Sequence, residues 1–168
     1  MPGRDATKTE VQSDMSAVAG VILKVPTRNE AGDPDGNVET VVFATVRRCP
    51  GLAKALKRLT KCEIEDAKRT KLLEVAYKQL QDAKTVEEVE SAAAATDTAA
   101  QASETATQAY LDAAYDFIIE GLKGTNAYTA DECERIAALI EPDRYAEIKA
   151  RAQLGSGVLD FTRAPKGA

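Results

Sequence analysis

The chain has 168 residues, of which 44% are hydrophobic and 5% aromatic, with no tryptophan; Ala supplies much of the apolar fraction, so the area buried per residue is small and self-association would add stability. A net charge of -5 and a pI near 4.9 argue against attraction of the whole chain to nucleic acid or anionic lipid. The absence of His removes the commonest general base near neutral pH and the commonest zinc ligand, and Cys49, Cys62 and Cys133, widely spaced and in no CxxC pair, predict free thiols rather than a disulfide framework or a zinc site.

Residues 1–16 are polar and without periodicity, and they read as a disordered arm that lacks the apolar segment of a signal peptide. No apolar stretch approaches the roughly 20 residues that cross a bilayer, so a soluble, cytoplasmic protein is expected. The β-branched run Val18 to Val25 is stopped by Pro26, and residues 27–37 are dense in turn formers. Asp33-Pro-Asp35-Gly36-Asn37 lacks the flanking helices and terminal Glu of a calcium loop and reads as a turn. In the second β-rich run, Val38 to Cys49, Val38, Val42, Ala44 and Val46 alternate with Val41 and Phe43, which predicts an antiparallel hairpin with a long loop. A lone hairpin is marginal in water and needs a cover.

After Pro50-Gly51, Leu52, Ala55, Leu56 and Leu59 recur at i, i+3, i+4, i+7. Ile64, Ala67, Leu72, Val75, Ala76, Leu80 and Ala83 continue as an apolar stripe, with a break expected near Thr60 to Cys62. Thr85-Val-Glu-Glu88 is a capping-box pattern that opens a long Ala/Thr/Glu-rich segment. Ser91 to Thr107 is helix on its Ala content, with a linker as the alternative because Thr and Ser weaken that preference. Gly121 and Gly124 are stop signals. A second capping box, Thr129-Ala-Asp-Glu132, opens a helix carrying Cys133, Ile136, Ala137, Leu139 and Ile140. Pro142 starts another through Tyr145, Ile148 and Ala152, ended by Gly155 and Gly157. The expected architecture is α+β, mainly α: an N-terminal β-hairpin packed on a bundle of four or five helices. It occupies residues 17–157 as a single domain, followed by a flexible tail over 158–168.

The carboxylates at Glu63, Glu65 and Asp66, and at Glu87, Glu88 and Glu90, read as solvated helix faces, since acid-base catalysis needs two carboxyls in one pocket. No catalytic residue, metal site or cofactor is expected. Charge is segregated along the chain. Arg47 to Lys71 carries nine basic residues against Glu63, Glu65 and Asp66, whereas Thr85 to Leu122 carries none. Two helices attracting one another would account for this, as would a docking surface. The candidate partner-binding residues are the apolar Val158, Leu159 and Phe161, and the acidic Asp112, Asp116 and Glu120. A homo-oligomer is expected.

The C-terminal third runs Phe117-Ile-Ile-Glu-Gly-Leu-Lys123, Thr129-Ala-Asp-Glu-Cys-Glu-Arg-Ile136, Leu139-Ile-Glu-Pro142, then a final helix ending Leu154-Gly155. Over about residues 110–155 this order resembles the tail assembly chaperones of long-tailed bacteriophages. The resemblance implies a non-enzymatic scaffolding adaptor in the cytoplasm of an infected or lysogenic bacterial host. It would hold tape-measure and tail-tube proteins during morphogenesis, and many relatives also have a longer frameshifted form. The rival readings are a structural virion protein, such as a head–tail connector or neck subunit, and a small nucleic-acid-binding regulator using Arg47 to Lys71.

Overall fold

A computed structural model describes residues 20–162. The proposed arm over 1–16 and the end of the proposed tail, 163–168, lie outside these. The fold is α+β and mainly α, with four helices and one small sheet among the described residues. The strands are β1 (Val21–Arg28), β2 (Pro34–Phe43) and β3 (Gly157–Asp160); the helices are α1 (Pro50–Asp82), α2 (Val86–Lys123), α3 (Ala130–Ala138) and α4 (Tyr145–Leu154), with a 3-10 turn at Pro142–Arg144. The chain divides into two compact units. One comprises residues up to Leu56 together with Tyr115 onward, and the other is Lys57–Ala114.

The first unit is built on the sheet, whose order is β2-β1-β3. β1 and β2 form the expected antiparallel hairpin, but the strands reach into the turn-forming stretch and leave only residues 29–33 as the loop. There the Asn29 amide donates to the Asp33 carbonyl, and Gly32, at φ +86°, donates back to Asn29. β1 continues through Pro26 because Lys24–Asp160 is its last pairing with β3, so the missing proline N–H breaks no ladder bond. Alternate residues Val21, Leu23 and Val25 are fully buried, and the first two lie directly opposite Phe43 and Val41 of β2. The Phe43 ring meets Phe117 of α2 at 5.9 Å. Leu52 of α1, Ile118 and Leu122 of α2, Cys133, Ile136 and Ala137 of α3, and Tyr145, Ile148 and Ala152 of α4 are also buried.

Two expectations need correction in this unit. Gly121 does not stop a helix: it lies inside α2, and a Cβ there would sit 1.9 Å from the Phe43 Cζ, so glycine is required by the ring resting on it. The segment from residue 158 is not a free tail either. Gly157 to Asp160 pair in parallel with Val21 to Lys24, which turns the hairpin into a three-stranded sheet. Both capping boxes form. Thr129 and Glu132 exchange side-chain to backbone bonds at α3, and Thr85 and Glu88 do the same before α2.

The second unit is an antiparallel helical hairpin. α1 runs without a break through Thr60 to Cys62, and Ser91 to Thr107 is helix throughout. The Thr96 hydroxyl donates to the Ala92 carbonyl at 2.8 Å and reaches the Ala76 carbonyl of α1 at 3.3 Å. The Thr98 and Thr105 hydroxyls likewise bond back to Ala94 and Gln101. Threonine's usual competition with the helix is thus turned inward onto its own carbonyls. The Thr107 hydroxyl donates to Asp66 of α1 at 2.7 Å. The α1 side of the seam recurs every seven residues as Leu59, Asp66, Leu73 and Leu80, with Cys62, Arg69, Ala76 and Ala83 between them, all of them half-buried or buried. This corrects the single stripe read from the sequence: Ile64, Leu72 and Val75 fall outside the seam and are exposed.

Candidate interaction surface

The apolar residues near the C-terminus are held by the sheet. Val158 is 55% exposed on the edge strand β3, whereas Leu159 and Phe161 are half-buried. The Phe161 amide donates to the Lys24 carbonyl at 2.8 Å, and its ring lies 4.8 Å under the guanidinium of Arg144. Arg144 is itself fixed by Glu147 at 2.6 Å. A cation on an aromatic face plus a strand register makes this segment part of the unit, rather than a tethered docking motif.

The acidic candidates also separate. Asp112 belongs to the helical hairpin, where it accepts a bond from Gln108 Nε2 at 2.9 Å. Asp116 and Glu120 belong to the sheet-containing unit. The Glu120 carboxylate lies beside Gly51, at 2.9 Å from where a Cβ would stand. α1 has no acidic residue in its own first turn, and Glu120 supplies negative charge at that positive helix end. Glu120 therefore has a structural task.

Several other titratable groups are held by structural contacts. Arg135 forks onto both Glu39 oxygens at 2.8 and 2.9 Å and holds that carboxyl below its ordinary range. The hydroxyl of Thr27, with the Asn37 amide, lowers Asp35. Burial raises Tyr128, whose hydroxyl accepts from the Val42 amide at 3.0 Å. Cys49, Cys62 and Cys133 are unbridged; Cys133 is a fully buried core side chain, and burial pushes its thiol up. Among the described residues, no group of three or more His, Cys, Asp or Glu is placed to hold a metal ion, and no helix is long and apolar enough to cross a membrane.

The hairpin carries most of the exposed large apolar side chains among the described residues. Ile64, Leu72, Val75 and Tyr77 on α1, and Val86 and Val89 on α2, are all between 43% and 75% exposed. Leu72 sits in an open groove of about 450 Å³ between the helices, shared with Arg69, Ala94, Ala95, Thr98 and Ala102. A second hollow, about 920 Å³, includes Leu73, Tyr77, Ala100, Gln108 and Asp112. Lys54, Lys57, Lys61, Lys68, Lys71 and Lys78 are exposed along α1, while α2 has no basic residue before Lys123. Sequence reasoning placed Leu72 and Val75 in the core; the seven-residue seam of Leu59, Leu73 and Leu80 was the signal that would have set them outside it.

No family model matches the chain, and neither does any curated protein or solved structure.

Proposed function

We propose that this protein is a non-enzymatic assembly chaperone or scaffolding adaptor that holds long apolar helices of partner proteins. The tape-measure and tail-tube proteins of a long-tailed phage are the intended clients. One observation carries the reading: a two-helix hairpin, Lys57–Ala114, that leaves large apolar side chains along its length uncovered. A soluble enzyme domain normally hides such residues, whereas a holder must present them. The Ala- and Thr-rich helix α2 supports the same reading, because small side chains let a partner helix approach closely and adjust its register. Contacts of this kind are individually weak, so affinity for a long client comes from many similar contacts.

Co-expression with a tape-measure protein tests the reading. Tyr77→Ser with Val86→Ser and Val89→Ser should leave the far-UV circular dichroism unchanged and lower the soluble fraction of the client severalfold. A client that stays equally soluble beside the folded triple variant would refute the holding surface.

A further inference from the structure

The charge pattern and the groove together define a partner for one face of the hairpin. Around a helix of about 3.6 residues per turn, Lys61, Lys68 and Val75 fall within roughly 60° of Leu72, so they share its side of α1, where Arg69 and Leu72 line the groove. On the α2 side the groove is floored by Ala95 and Ala102 and bordered by Thr98, with Thr105 and Asp112 following at intervals of seven. One edge of this face is thus basic with large apolar side chains. The other is small and polar and ends in Asp112, which also lines the second hollow. The two edges complement each other, and both belong to the same chain.

We infer that this face is covered by a second copy of the protein, in a two-fold four-helix bundle that sets α1 of each copy against α2 of the other. Two symmetric arrangements could bury the groove. A two-fold axis across the hairpin would place α1 on α1 and face the lysine row against itself. An axis along the hairpin places every helix beside one of opposite charge, and electrostatics selects it. That axis also preserves height along the bundle. Within a hairpin, Thr96 is level with Ala76 and Thr107 with Asp66, so level residue numbers add to 172 or 173. Lys61 of one copy therefore comes level with Asp112 of the other. Val75 comes level with Thr98 of the other, and Leu72 with residues 100–101, between Thr98 and Ala102, where small side chains admit them. The helices alternate in direction, the arrangement common to antiparallel bundles. This inference needs no client: it takes Leu72 and Val75 out of the uncovered set, and the holding role then rests on Tyr77, Val86 and Val89.

The test is analytical ultracentrifugation of the full chain at micromolar concentration, with charge reversals on each helix. The wild type is expected as a dimer. Lys61→Asp and Asp112→Lys, each alone, place like charges across the interface and should weaken association by roughly tenfold or more. An equimolar mixture of the two variants should recover the wild-type dimer, because both cross-pairs in the mixed species are again opposite. Leu72→Ser with Val75→Ser should yield monomer that keeps its helical circular dichroism. A wild type that is monomeric at 100 µM (roughly a hundredfold above a micromolar Kd), variants that dimerise normally, or a mixture that fails to recover would each overturn the inference.

Discussion

Gly121 shows how one side chain's absence sets a packing distance. The Phe43 ring, 5.9 Å from Phe117, occupies the space above the α2 backbone where any Cβ would go. Gly121→Ala forces the ring to move within a filled core, and overpacking of this kind costs about 1–3 kcal/mol. Urea unfolding should show that loss as a lower midpoint. Phe43→Leu in the Gly121→Ala background should cost less than it does in the wild type, since the smaller side chain makes room. Additive losses would mean that the two residues do not share the space described. The sequence marks both residues but gives each the wrong context. Phe43 reads correctly as one face of a strand. Gly121 reads as a helix stop, because a close approach between residues so far apart leaves no local trace.

At the level of elements, legibility follows how local the determining physics is. The capping boxes at Thr85 and Thr129, the Pro142 start and the Gly155 end are fixed by neighbours within four residues, and they appear where the sequence places them. The long helix through Ser91 to Thr107 is decided by Ala propensity and threonine back-bonding, again local. β3 is the opposite case. Four residues carry no usable periodicity, Gly155-Ser-Gly157 imitates a tether, and the partner strand lies at the other end of the chain. Leu159→Ser with Phe161→Ser should lower stability by about 1–3 kcal/mol, by removing half-buried apolar area and the stacking under Arg144. Thermal unfolding measures this. A double variant as stable as the wild type would return the segment to a free tail.

For the whole molecule, the two units differ in what holds them. The sheet-containing unit has fully buried large side chains from β1, β2 and each of the described helices: Leu23, Phe43, Leu52, Phe117, Ile136 and Ile148. The hairpin's buried residues are Leu59 and a few Ala and Thr side chains, such as Ala76, Thr96 and Ala106. The sequence gives the fold class and three of the four helices closely, yet it hides this division, since apolar periodicity reports a buried stripe without saying how many layers cover it. Amides of Ala92 to Ala102 should exchange with solvent at least roughly tenfold faster than those of Val21 to Val25, because little buried area resists their opening. Raising the protein concentration should slow the hairpin amides and leave the β1 amides unchanged. Equal protection of both units in dilute solution would contradict the difference in burial.

The parallel pairing of β1 with β3 has a consequence for the order in which the chain acquires its shape. Val21 must wait for Gly157, at the far end of the chain, before its second neighbour exists. The helical hairpin needs only contacts between segments close in sequence, and such contacts close faster than distant ones. During synthesis the hairpin can form while the sheet is still two strands wide, with one edge of β1 bare. An open β1 edge is a template for strand addition by any extended neighbour. Completion of the sheet therefore follows the hairpin, and the four residues of β3 close the β1 edge that was open to mispairing.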